Sequence, residues 1–206
     1  TGVTETYHAT GNSAFGSKAL LSNTTGHKNT AVGYNALYSN ESGHNNTANG
    51  YEALYANTGY LNTANGSLAM YTNEGGYANT ANGCEALYAN TEGYSNTATG
   101  YDAMYNNTEG YGNTGIGKEA LFSNTLGDHR TGVGNSANST GTNYDNSTGL
   151  GYNADCTAAD QVRIGNSDVT SIGGYVDWTI VSDTRFKTNI SEDVAGLEFI
   201  QALRPV

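Results

Sequence analysis

The chain has 206 residues and a net charge of −11, with 28 Gly, 16 Tyr, four Phe and one Pro. The acidic balance argues against nucleic acid, whose phosphates are neutralised by clustered Lys and Arg, and equally against docking on an anionic membrane. No apolar run is long enough to cross a bilayer, so no membrane insertion is expected, and no stretch reads as a signal peptide.

Residues 1–11 read as the end of a preceding, degenerate coil, which suggests a fragment or processed product. From Asn12 a repeat begins. Its units start at Asn12, Asn29, Asn46, Asn62, Asn79, Asn96, Asn113, Arg130 and Ser147, and seven of the eight spacings are 17 residues. The exception, 16, falls in the unit ending NTGYL, one residue short of its neighbours' NTEGY. Counting positions from the leading residue, the fifth is Gly in all nine units and the eighth is Ala in all nine. An invariant Gly marks a bend with positive φ or a place too tight for a side chain. The Ala marks a small, filled gap. Position two is Ser or Thr and position three Ala or Gly, so the first strand is narrow.

A period near 17 is too short for helix-pair repeats, which run at roughly 33 to 47 residues. It suits one turn of a β-solenoid with two short strands and two bends, stacked about 4.8 Å apart. The expected fold is all-β: a β-solenoid of about nine coils over residues 12–159, very roughly 40 Å long. Asn at positions one and twelve can form amide ladders between coils. So thin a stack has little interior, which predicts oligomerisation.

Two apolar rows run beside each other. Position nine supplies Leu20, Leu37, Leu54, Met70, Leu87, Met104 and Leu121, and position ten supplies Tyr38, Tyr55, Tyr71, Tyr88, Tyr105 and Phe122. Neighbours on a strand face opposite sides, so one row lines the interior and the other faces out. At the turn, position sixteen reads His27, His44, Tyr60, Tyr77, Tyr94, Tyr111 and Asp128. Stacked Tyr60, Tyr77, Tyr94 and Tyr111 beside Asn are a candidate glycan-binding row, because rings cover sugar faces and amides bond hydroxyls. The alternative is a solvated ladder that stiffens the edge.

Other chemical signals are weaker. His27 and His44 stack one coil apart with no carboxylate or thiol at ligand spacing, so no metal site and no cofactor are expected. GIGKEA, from Gly115, is a repeat unit and not a phosphate loop. Three glycosylation sequons, from Asn23, Asn40 and Asn106, are chance products of an Asn/Thr-rich repeat. Cys84 and Cys156 lie four coils apart, too far for a bridge, and are expected to be buried free thiols. Three T-A-N ranks, Thr47, Thr63 and Thr80 with Asn49, Asn65 and Asn82, raise an ice-binding face. Phe15, Val32, Ile116, Val133 and Leu150 hold the fourth position elsewhere, which predicts burial of that face towards both ends.

The last two units decay, with Asn138 and Ser139 in place of the apolar pair. Residues 160–181 read as a short neck in which Val162, Ile164, Val169 and Ile172 belong to strands joined by tight turns. Residues 182–206 follow, with an amphipathic helix expected over Val194–Leu203.

Repeats of the form NTAxGYxALYxNTxG, then VRIGNSDVTSIGG, a Trp and SDTRFKTNI, resemble the distal part of phage tail fibres and related surface proteins that end in an endosialidase-type intramolecular chaperone. The coils also resemble the left-handed β-roll heads of trimeric autotransporter adhesins, which implies a left-handed β-roll over residues 12–159. The resemblance implies an extracellular homotrimeric fibre that attaches to a host or surface through a glycan or protein receptor. It also implies self-cleavage after trimerisation, between Val181 and Ser182, with Ser182 as nucleophile and Lys187 taking its proton. A Ser hydroxyl needs such a base, and a desolvated Lys can serve as one. That is a single-turnover event and not enzyme catalysis in the usual sense. Residues 182–206 match only the start of such a chaperone, which is several times longer. From the residues alone, SDT is a turn and Lys187 a surface lysine.

Overall fold

The computed structural model describes residues 10–141 and 143–173, almost all of the first of two units into which the chain divides, Thr1–Thr170 and Ser171–Val206. The first unit is a β-solenoid. Each coil contributes one three-residue strand: β1 (Ser13–Phe15), β2 (Thr30–Val32), β3 (Thr47–Asn49), β4 (Thr63–Asn65), β5 (Thr80–Asn82), β6 (Thr97–Thr99), β7 (Thr114–Ile116), β8 (Thr131–Val133), β9 (Thr148–Leu150) and β10 (Val162–Ile164). They form one parallel sheet in sequence order. Register is strict: Thr80 pairs with Thr97, Ala81 with Ala98 and Asn82 with Thr99.

The expectation of two strands per coil needs correction, for there is one. The opposite arm is a run of turns in which positions seven and nine both adopt left-handed backbone, as at Asn35 (φ 54) and Leu37 (φ 51) or Glu85 (φ 57) and Leu87 (φ 53). That conformation costs a non-Gly residue roughly 1 kcal/mol or more. Two gains offset it. Leu37 N–H donates to Ala53 O at 3.0 Å and Asn35 N–H to Ser17 O at 3.1 Å, so the turns are laddered from coil to coil as a sheet would be. The kink also lets consecutive residues face the same way, where a strand would alternate. Ala36 and Leu37, like Ala86 and Leu87, are fully buried side by side.

The core is therefore one file of Leu or Met flanked by two files of Ala, from positions three, eight and nine. The rings of position ten lie outside it, half-buried. Gly at position five is required twice over. Gly83 has φ +146, and a Cβ there would overlap the carbonyl of Gly100 in the next coil. Gly at position fifteen is required by a different neighbour: at Gly43 a Cβ would overlap Oδ1 of Asn40.

Polar groups complete the interior. At position twelve the expected amide ladder forms: Asn40 Nδ2 donates to Asn23 Oδ1 at 3.1 Å, Asn57 to Asn40 at 2.8 Å and Asn90 to Asn73 at 2.7 Å. At position one the amides do not bond one another. Asn29 Oδ1 accepts the backbone N–H of Asn46 at 2.9 Å, and its Nδ2 donates to Gly43 O at 2.8 Å. Asn40 Nδ2 donates to the same Gly43 O at 3.0 Å, so both lone pairs of that carbonyl are used.

The stack also runs further than nine units. β10 lies within residues expected to form a neck, yet it pairs in register on β9, Val162 with Thr148 and Ile164 with Leu150. Val169 and Ile172 lie in no strand. The face carrying positions two and four, expected to be buried towards both ends, is open in the single chain. Phe15 is 79% exposed, Ile116 42% and Val133 37%.

Candidate functional site

Position sixteen follows the Gly whose carbonyl is held by the two interior amides, so every coil presents its ring at the same height on the same bend. The result is a continuous aromatic ladder. His27 and His44 stack with centroids 5.0 Å apart, His44 and Tyr60 at 5.2 Å, Tyr60 and Tyr77 at 5.0 Å, Tyr77 and Tyr94 at 4.8 Å, and Tyr94 and Tyr111 at 4.7 Å. Interplanar angles are 7° or less along this run. All four tyrosines named from the sequence thus come together in one row.

Their orientation changes what the row can do. In a parallel stack each ring face is turned to the next ring, so solvent meets edges and hydroxyls. His129 packs edge-on against Tyr111 at 5.0 Å, and Asp128 Oδ1 accepts the Tyr111 N–H at 3.0 Å. The Asp128 carboxylate, with a little burial, raises the Tyr111 phenol above its ordinary value. Slight burial and then the neighbouring phenols raise Tyr77.

Position ten forms a second ladder, Tyr38 through Phe122, with centroid distances of 4.9 to 5.6 Å. All its rings are half-buried. Burial is the leading cause of the raised phenol pKa at Tyr71 and Tyr105.

A third feature was not drawn from the sequence, although its signal was there: position seven reads Asn35, Glu52, Leu68, Glu85, Asp102 and Glu119. Burial raises the Asp102 carboxyl while the Tyr101 hydroxyl pulls the other way. Its Oδ1, like that of Asn35, is buried with no hydrogen-bond partner. Glu119 has Lys118 Nζ at 3.1 Å.

Cys84 and Cys156 are both free. Cys156 is buried as expected, but Cys84 is only half-buried. Burial raises both thiols above their ordinary value, so neither is an activated nucleophile. Among the described residues no group of three or more His, Cys, Asp or Glu could hold a metal ion. His27 and His44 meet face to face and do not converge on a common point. Val181, Ser182, Lys187 and the helix expected over Val194–Leu203 lie outside the described residues. Among the described residues no helix is long and apolar enough to cross a membrane.

The fold and its rows define a β-solenoid repeat protein with two external aromatic ladders. No protein family matches the chain, and neither a curated protein nor a solved structure matches it.

Proposed function

We propose that the chain is a structural and adhesive module of an extracellular homotrimeric fibre, a tail fibre or surface adhesin that attaches its carrier to a host or surface. One observation supports this above others. The rod's own core is a single file of Leu and Met between Ala, yet its sheet turns Phe15, Val32, Ile116, Val133 and Ile164 outwards, each more than a third exposed. Two apolar patches, one at each end of a face that is polar at Asn49, Asn65, Asn82 and Thr99, are stabilised by covering them, and neighbouring copies of the same coil, in the same register, fit them. The likeness of SDTRFKTNI to a self-cleaving trimerisation chaperone points the same way. In this reading Ser182 and Lys187 cut the chain once, after Val181, and no cofactor takes part.

Native mass spectrometry of the purified chain, followed by denaturation of the same sample, tests it. The expected result is a complex of three chains, and a monomer overturns the reading. Where cleavage occurs, Ser182→Ala restores the uncut mass.

A second reading competes for the same face. Position two places Thr30, Thr47, Thr63, Thr80, Thr97, Thr114, Thr131 and Thr148 in one outward, in-register rank, a regular hydroxyl lattice suited to ordering water as ice. Thermal hysteresis in a monomeric sample would favour it over the fibre.

A further inference from the structure

We propose that the position-sixteen ladder binds an extended, neutral, β-1,4-linked glycan laid along the solenoid axis, one sugar to each coil, through ring edges and hydroxyls. This rests on the adhesive reading and names the ligand class for it.

Geometry removes the usual mode first. Aromatic side chains hold sugars by placing a ring face against a pyranose face. Between His27 and Tyr111 those faces are occupied by the next ring, with centroids 4.7 to 5.2 Å apart. What remains open is a row of edges at the coil spacing, imidazole edges at His27 and His44 and hydroxyls from Tyr60 to Tyr111. Among the described residues the hydroxyls of Tyr60, Tyr77 and Tyr94 have no hydrogen-bond partner. The threonines of the same bend are already committed: Thr91 Oγ1 donates to Thr108 O at 3.2 Å, and Thr108 Oγ1 to Thr125 O at 3.1 Å.

One sugar on such a row meets one or two hydroxyls, each worth only about 0.5–1.5 kcal/mol net. A single site of that kind is too weak to hold anything. A linear polymer whose sugars advance by the coil spacing meets every rung at once, and the gains add as in any multivalent contact. An extended β-1,4-linked pyranose chain is a flat ribbon with an advance of this size, and the stack supplies a straight, rigid row to match it.

Charge selects among such chains. Glu41, Glu74, Glu92 and Glu109 lie exposed on the same bends, and the chain's net charge is −11. Polyanionic glycans are repelled and neutral ones are not. The second ladder is the less suitable of the two. Tyr60 is 38% exposed and Tyr77, Tyr94 and Tyr111 are half-buried, whereas every ring of the second ladder is half-buried.

Titration calorimetry of the full chain with cello-oligosaccharides of increasing length, and with oligogalacturonate as the polyanionic control, tests the proposal. The expected affinity rises about three- to tenfold per added sugar and levels off near six, the number of stacked rungs from His27 to Tyr111. Oligogalacturonate binds at least tenfold more weakly. Tyr77→Phe, which keeps the stack and removes one hydroxyl, weakens the hexamer about fivefold, while Tyr88→Phe on the second ladder changes nothing. The proposal is overturned if glucose binds as well as the hexamer, if Tyr77→Phe is silent, or if no member of the series binds. The oligomeric state is read separately. A trimer that ignores the series leaves the fibre standing without this ligand, and a monomer that follows the length series keeps the ladder site and sinks the fibre.

Discussion

From Asn29 to Asn124 each coil buries two amides beside a glycine, whereas the coil opening at Arg130 carries a guanidinium, Gly141 and Tyr144 at the same three places. Both arrangements give the preceding position-twelve amide oxygen a donor, but the backbone acceptor differs: Gly127 O in the regular coil, Gly141 O beside Arg130. In the regular coils Asn107 Nδ2 donates to Asn90 Oδ1 at 2.9 Å, and Asn124 to Asn107 at 2.8 Å. At the change, Arg130 Nη1 donates to Asn124 Oδ1 at 2.8 Å and to Gly141 O at 2.7 Å, so one side chain ends the ladder and fills the room of the missing amide. Arg130 is fully buried, and burial lowers its pKa. No carboxylate among the described residues bonds it. Its partners are oxygens of Ser147, Asn124, Gly141 and Asn138. The stack thus tolerates sequence decay where the replacement caps the last amide oxygen of the ladder, and that comparison can be broken at graded cost.

The largest contrast is expected from glycine. In the regular stack Gly83→Ala places a methyl into the Gly100 carbonyl at a φ of +146, where the atoms in the way are all backbone and nothing flexible can give way. We expect a loss of about 3 kcal/mol or more in denaturant melts. Gly151 sits at the same position among the decayed coils, where the nearest atoms to an added Cβ are Gly165 Cα and N at 3.4 Å. Gly151→Ala then carries only backbone strain, about 1–2 kcal/mol. Equal losses at the two sites would show that φ alone, and not the closeness of the coils, dictates this glycine.

Next in size is the exchange at Arg130. Arg130→Asn leaves Asn124 Oδ1 and Gly141 O without donors in a dry interior, at an expected cost of about 2–3 kcal/mol. Gly141→Asn alone cannot repair it, because a Cβ at Gly141 meets the Tyr144 ring. The triple variant Arg130→Asn, Gly141→Asn, Tyr144→Gly restores the regular set and should regain most of the loss. Simple addition of the three single effects would refute the idea that they are one unit.

The same contrast explains what could be read without coordinates. The parallel stack, the amide ladder at position twelve, the aligned Tyr rows and the opposite facing of positions nine and ten were legible because a strict spacing repeats each local choice, although which of those two rows lies inward was not. The turn arm was not, because left-handed backbone at Asn35 or Leu87 leaves no glycine to mark it. The tenth rung hid for two reasons: Gln161 follows Ser147 by 14 residues, and Arg163 stands where an inward Ala is usual. The tyrosines of position sixteen were found, but their orientation depends on stacking and so on three dimensions. The buried Arg130 read as an ordinary repeat substitution, because its meaning lies in Gly141 and Tyr144.

The smallest effect concerns Asp102 and its counterpart one coil on, Glu119. Both occupy position seven, yet Asp102 is raised from its ordinary value of 3.8, chiefly by burial, and keeps one oxygen unpartnered. Glu119 has Lys118 at 3.1 Å and accepts the Ser136 hydroxyl at 3.2 Å. An acid whose folded pKa is raised binds its proton more tightly when folded, so its contribution is favourable at low pH and is lost as pH rises through the folded value. Asp102→Asn should therefore stabilise the chain at pH 7 by about 0.5 kcal/mol, a figure kept small by solvent screening. The gain should vanish below the ordinary value of 3.8, where the native carboxyl is itself neutral. Glu119→Gln should give no such gain, since it discards an ion pair instead of relieving a buried charge. Thermal melts of both variants across pH 3 to 7 separate the two cases. A pH-independent gain at Asp102 would mean that the amide's added donor, and not the removed charge, is what the buried site lacks.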